Sequence, residues 1–234
     1  MDLTTTQISQ YDDNRSIKHH ENKMLNLILD NLDGIDHKIL DIGCADGLFC
    51  KSLHKSLPDA KITGIDLSVD LIKRANAKQI PNCSFEITDV RKYNPRSKFN
   101  IVIASGILSA FQEFPSIIDT WISWLDKNGV LFVFGRFNTE DIDTQIKFRN
   151  NFNNSDWEGG YTAYSIQTIS KFLNEKSVSY NFTKFNLDID LPKTNNPVQT
   201  YTVNTTDGRK LIINGANLIA DFYFLVIKKK SENS

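Results

Sequence analysis

The chain has 234 residues, with 27 Lys and Arg against 28 Asp and Glu and a formal net charge of −1. With 40% of its residues hydrophobic and 11% aromatic, the chain is too apolar for disorder. The near-neutral charge argues against a general nucleic-acid binder, which must neutralise many phosphates.

No run of 18 apolar residues occurs, so no membrane span is expected. The start, Met1-Asp2-Leu3-Thr4, lacks the basic and apolar regions of a secretion signal. Cys44, Cys50 and Cys83 are odd in number and lack CxxC spacing. They are not spaced with His19, His20, His37 and His54 as metal ligands, so no metal site is expected. A reduced, cytoplasmic protein is the expectation.

Residues 15–33 read as an amphipathic helix, with Ile17, Met24, Leu25, Ile28 and Leu32 on one face. A buried strand follows at 38–42, a helix at 47–57 ending at Pro58, and a strand at 61–66. A helix at 69–77, a strand at 83–88 and an almost wholly apolar strand at 99–104 come next. Pro115 opens a helix that Asn128-Gly129 is expected to close, and 130–134 is a fifth strand. Strands alternating with helices predict an open parallel sheet with right-handed crossovers.

The pattern then changes. Residues 139–151 read as a polar helix, 153–160 as an Asn- and Gly-rich loop, and 165–176 as a helix. Strand-like runs occupy 180–189, 200–204, 209–213 and 218–227, with Asp207-Gly208 as a hairpin turn. With no linker, this part reads as an elaboration of the same sheet in a single domain over 1–234. Within it, residues 1–35 carry the N-terminal helix, 36–135 the alternating strands and helices, and 136–234 the remainder with the closing strands.

Ligands of open α/β sheets sit at the carboxyl ends of the strands. Four such ends carry suitable residues. Ile39-Leu40-Asp41-Ile42-Gly43-Cys44-Ala45-Asp46-Gly47 is a strand, a glycine loop and a helix start. Asp66 ends the second strand, nineteen residues after Gly47, where a carboxylate can accept from both ribose hydroxyls. Asp89 follows the third strand, and Ser105-Gly106 follows the fourth. Alone, the glycine turn equally suits strand–helix packing, and Asp66 a solvated strand end. Dinucleotide sites prefer GxGxxG, and here Ala45 takes the place of the middle glycine. Asp41 and Asp46 would repel a diphosphate and tolerate a cation.

In order and spacing, these four segments resemble the class I S-adenosylmethionine-dependent methyltransferases, in the small-molecule type. The resemblance covers roughly residues 10–135 by motif. It implies a Rossmann-like α/β fold: a sheet of seven mostly parallel strands, helices on both faces, the last strand antiparallel, and here a β-hairpin elaboration near the C-terminus. It implies S-adenosyl-L-methionine as cofactor. Asp41, Gly43, Cys44 and Gly47 would line its methionine part, and Asp66 would hold the ribose. Leu67 would pack on the adenine, Asp89 would bond its amino group with Val90 alongside, and Ser105 and Gly106 would pass under the sulfonium. Tyr11 resembles the aromatic residue that closes over the cofactor. Ala45 in place of a common glycine and about thirty extra residues before the last strand are departures.

The expected activity is methyl transfer to an oxygen or nitrogen of a small molecule by in-line displacement. The family shares no catalytic residue; His19 and His20 are candidates for a base, against a solvated-helix reading. Trp157 and Tyr161, beside Asp156, are candidate walls of an acceptor pocket. Lys228-Lys229-Lys230 reads as a solvated strand end. The alternatives are a non-catalytic cofactor- or partner-binding module on the same fold and, less well supported, a nicotinamide-dependent oxidoreductase. The expected partner is a small-molecule acceptor, with no nucleic acid and no membrane. The 191–220 region would serve as a roof or a homodimer surface.

Overall fold

The computed structural model describes residues 16–32, 37–149, 151, 156–195, 199–216 and 218–230. Tyr11 and residues 153–155 of the expected loop lie outside the described residues.

Strand β1 (Lys38–Ile42) is buried at every position after Lys38. Both its faces are apolar, so it can be stable only between neighbouring strands with helices above and below. It pairs in parallel with β2 (Lys61–Asp66) on one side and β4 (Phe99–Ser105) on the other. β3 (Cys83–Ile87) extends the sheet beyond β2, and β5 (Leu125–Asn138) beyond β4. β11 (Phe222–Lys229) runs antiparallel between β5 and β8 (Val178–Lys184). The resulting order is β3-β2-β1-β4-β5-β11-β8. This seven-strand path is the one expected, with two further strands attached at the end of β5 to make nine; the order reverses its direction of growth at β1 and β4, the crevice where ligands of such sheets bind.

The helices follow their apolar stripes. On one face, α1 (His19–Leu29) buries Met24 and Ile28, and α2 (Leu48–Ser56) buries Phe49, Cys50 and Leu53. Each fully buried side chain of this size contributes about 1.5–3 kcal/mol, which fastens α1 to the sheet beside β5. α3 (Val69–Ala77) is capped by the Ser68 hydroxyl, which accepts from the Leu71 N–H. On the other face, α4 (Pro115–Ser123) and α5 (Ile166–Asn174) sink Ile118, Trp121, Ile169 and Leu173 into the core. Among the described residues, no helix is long and apolar enough to cross a membrane.

Three expectations need correction. The polar segment 139–151 is not a helix: it contains β6 (Thr144–Phe148), paired antiparallel with β7 (Glu158–Ser165). Its two half-buried residues, Ile146 and Phe148, alternate with exposed ones, a period of two that supplies no helical stripe. β7 takes over the end of the expected loop and joins the end of β5 in parallel. Asn128-Gly129 does not close α4, which ends at Ser123; the glycine lies in a bulge of β5, between the Phe99–Leu125 and Ile101–Val130 pairs. A Cβ on Gly129 would stand 2.9 Å from Leu125 Cβ and 3.0 Å from Phe99 O, so only glycine fits that bend. The expected hairpin is present as a separate two-stranded sheet, β9 (Tyr201–Asn204) with β10 (Lys210–Ile213).

Candidate functional site

The loop between β1 and α2 is fixed by β2. The N–H groups of Gly43 and Cys44 donate to Ile65 O at 2.8 and 3.1 Å, and Ala45 N–H donates to Asp66 Oδ2 at 3.0 Å. Gly47 N–H turns back to Cys44 O at 3.0 Å. Gly43, Ala45 and Gly47 all have positive φ, so Ala45 follows the left-handed path of the glycine it replaces. That conformation costs a residue with a Cβ about 1–2 kcal/mol, and the bond to Asp66 offsets it. At Gly47 glycine is required twice over: φ is +73°, and a Cβ would meet Phe85 Cζ at 2.8 Å. Because its N–H groups are consumed internally, this loop offers an anion little. That suits a cationic ligand better than a diphosphate.

The acids divide. Asp46 is buried and held by Lys78, whose Nζ donates to Asp46 Oδ2 at 3.2 Å and to its carbonyl at 2.8 Å. Its charge is spent inside the protein. Asp41 is buried with one hydrogen bond, from Cys50 Sγ at 3.3 Å. Burial pushes its carboxyl up to about 7, the Cys50 bond opposes this, and the charges of Glu21 and Asp66 add to it. Asp41 lines a small chamber of about 60 Å³ together with Lys18, His20, Glu21, Cys44 and Ser105.

A cavity of about 310 Å³ lies next to this chamber, over the ends of β1, β2, β3 and β4. Asp66, Leu67, Asp89, Val90, Ser105 and Gly106 all line it, and Gly43 and Ser105 belong to both spaces. Asp66 Oδ1 accepts the Ser68 N–H at 2.8 Å while Oδ2 holds Ala45. Each carboxylate oxygen keeps a further lone pair for a ligand hydroxyl. Asp89 is clamped by Arg91, whose Nε donates at 2.9 and 3.0 Å and whose backbone N–H donates at 2.9 Å. That clamp holds its carboxyl well down, at about 2, despite burial acting the other way. Leu67 is exposed to the cavity and Val90 is buried beneath it. Gly106 has φ +76°, and a Cβ there would meet nothing within 4 Å: its missing side chain leaves room for a ligand.

The histidines separate. His20 lines the small chamber, its ring stacked on Phe134 at 4.3 Å. His19 lines neither space, and its Nε2 is buried without a hydrogen-bond partner among the described residues. Tyr161 lines a third small cavity with Ser109, Ala110 and Gln145. Ala110 also lines the large one, so these two adjoin. Trp157 is 67% exposed and lines none of the three. The sequence reasoning missed Ile107 and Phe111, which wall the cavity from the turn after β4. An apolar run after a glycine at a strand end was the available signal. A larger cavity, about 850 Å³, opens at Lys38, Lys61 and Phe99, the opposite ends of the strands, and shares no residue with the crevice.

Malonyl-[acyl-carrier protein] O-methyltransferase 2 of Ilyobacter polytropus is 25% identical over 170 residues, covering 71% of this chain and 64% of the relative. Trans-aconitate 2-methyltransferase of Yersinia pseudotuberculosis is 32% identical over 95 residues, covering 41% of this chain and 36% of the relative. The chain thus matches less than two thirds of the length of these curated relatives. The solved structure of a DhpI–SAH complex shares the fold, with a TM-score of 0.62 at 13% identity over 96% of this chain and 92% of that one. Residues 35–186, well over half of the sequence, match the family model described as a methyltransferase domain, and the chain belongs to that family.

Proposed function

We propose that this chain binds S-adenosyl-L-methionine and transfers its methyl group to an oxygen or nitrogen of a small-molecule acceptor. The observation that carries the reading is the pair of joined spaces at the β1/β4 crevice, one sized for a nucleoside, the other lined by Asp41 and Glu21. The residues fit the group. Asp66 keeps free lone pairs for two ribose hydroxyls, Leu67 and Val90 offer apolar surface, and Asp89 keeps acceptor capacity beside Arg91. Gly43 and Cys44 shape the path of the methionine part, with Asp41 opposite its positive charge, and Gly47 closes the turn behind them. Ser105 and Gly106 form the floor where the two spaces meet. Tyr11 would close over the site from the segment before α1.

When bound, the cofactor supplies an electrophilic methyl on a good leaving group. The chain's own task is alignment, worth about 7–11 kcal/mol where it is well achieved. The walls Ile107 and Phe111 exclude water from the side facing the transferred group. His20, at the edge of the small chamber, is the better placed of the two histidines to take a proton from an acceptor. The sheet runs unbroken from the nucleoside side to the acceptor side, which supports a single domain. The separate β9–β10 sheet exposes Val203, and nearby Ile219 is also exposed, which supports its use as a roof or a contact between copies.

Calorimetric titration of the full chain with S-adenosylhomocysteine and with NAD tests this reading. S-adenosylhomocysteine should bind and NAD should not. Asp66→Ala should weaken the binding by at least about 1.5 kcal/mol, the lower end for a charge-assisted hydrogen bond. Preference for NAD overturns the reading; unchanged affinity in the variant overturns the ribose assignment.

A further inference from the structure

Arg136 is the last-but-two residue of β5, two positions beyond Phe134 on the same face. Phe134 pairs in register with Ser105, the residue shared by both ligand spaces. By strand spacing and rise, the Arg136 backbone stands about 8 Å from Ser105, within reach of a small acceptor.

Its guanidinium is held between rings, 3.7 Å from the centroid of Tyr161 and 5.4 Å from that of Phe222. The Phe222 ring in turn stacks on Phe134, against which His20 lies. Burial lowers the affinity of Arg136 for its proton, and Tyr161 opposes this; an arginine stays charged regardless. Yet no carboxylate pairs with it among the described residues. Asp221, beside its register partner Phe222, is bonded instead to Lys184 at 2.9 Å. Next to the cation, the Tyr161 hydroxyl is buried, with the guanidinium as its polar neighbour. A half-buried guanidinium with no carboxylate beside it is costly to leave without an acceptor group.

We propose that Arg136 and the Tyr161 hydroxyl anchor a carboxylate of the methyl acceptor, so that the acceptor is a small carboxylic acid. The planar fork of arginine matches a carboxylate edge-on while its faces stay on the rings. One cation in an apolar frame suits a single negative charge, whereas a phosphate dianion calls for more than one. This inference rests on the methyl-transfer reading, which requires an acceptor beside the cofactor.

The test uses the full chain saturated with S-adenosylhomocysteine. Benzoate, hexanoate and glutarate are titrated beside benzamide, hexanamide and phenylphosphonate, with binding followed by calorimetry and ligand-observed NMR. At least one carboxylate should bind tenfold or more tightly than its amide. Arg136→Gln should abolish that preference, Arg136→Lys should recover little of it, and Tyr161→Phe should reduce it severalfold, with S-adenosylhomocysteine affinity unchanged throughout. Absence of carboxylate binding, equal binding of acid and amide, a preference for the phosphonate, or a preference surviving in Arg136→Gln overturns the proposal. If Arg136→Gln does not fold, Tyr161→Phe decides, since it removes one oxygen only. Failure of the wild-type chain to bind S-adenosylhomocysteine counts against the methyl-transfer reading instead.

Discussion

The two ends of the crevice are built on different principles. From β1 to β4 the ligand-facing groups are set by backbone: positive φ at Gly43, Gly47 and Gly106, N–H groups tied to Ile65 and Asp66, and acids at strand ends. From β5 onward the proposed acceptor anchor depends on side chains that meet only after folding, Arg136 from β5, Tyr161 from β7 and Phe222 from β11. A site made of backbone turns is fixed by local chemistry and tolerates little change. A site made of side chains on three strands can be altered without disturbing the sheet, which allows one scaffold to serve many acceptors.

The largest test of this contrast falls on Asp41. Its folded value, about 7, lies above the ordinary carboxylate value of 3.8 because burial disfavours the charge. Between these values the folded chain holds a proton that the unfolded chain has released. Stability therefore falls as pH rises through that window and is level above it. Each unit contributes about 1.4 kcal/mol, so the whole fall amounts to about 4 kcal/mol. Asp41→Asn should remove that slope. Denaturant unfolding at pH 4.5 and 7.5, for both chains, measures it; an equal slope in the variant would assign it to other groups. A cationic ligand beside Asp41 favours the charged carboxylate, so binding above pH 7 should offset part of the loss.

A smaller effect separates two glycines of the same backbone. Gly47→Ala adds a Cβ 2.8 Å from Phe85 at a positive φ, and should destabilise by about 3 kcal/mol. Gly106→Ala carries the φ penalty alone, about 1 kcal/mol, because its Cβ enters open space. That space is the cavity floor, so Gly106→Ala should weaken S-adenosylhomocysteine more than it weakens the fold. Unfolding curves and titrations of the two variants should therefore rank them in opposite orders. The same rank in both would mean that Gly106 does not face the ligand.

This contrast also explains what could be read from the chain. The first five strands and their helices follow runs such as Ile101-Val102-Ile103-Ala104, whose burial on both faces admits one placement in a sheet. Asp66, Asp89 and Gly106 are legible because their position after a strand already fixes their side of the sheet. Segment 139–151 is not, because its partner lies in β7 and no apolar stripe announces a strand. Arg136 is equally silent: nothing around Phe134-Gly135-Arg136-Phe137 shows that Tyr161 and Phe222 will cover it.

The smallest effect is expected at Trp157, which the sequence pairs with Tyr161 as an acceptor wall. Four residues apart in a regular strand, the two would share a face. The register breaks between them: Ile146 pairs with Tyr161, but Lys147 pairs with Gly159, leaving Gly160 as an extra residue. A Cβ on Gly160 would stand 2.8 Å from Phe148 Cδ1 and 2.9 Å from Ile146 O, so the bulge depends on glycine. It breaks the alternation and leaves Trp157 in solvent, with Arg149 5.6 Å from its ring centroid. Trp157→Ala should then change stability by no more than about 0.5 kcal/mol, as for a surface substitution. Carboxylate-probe binding should also be unaltered, while Tyr161→Phe, on the other side of the bulge, should weaken it. A loss of probe affinity in Trp157→Ala comparable to that in Tyr161→Phe would mean that the two rings act together despite the bulge, and that the acceptor wall extends to the strand's start.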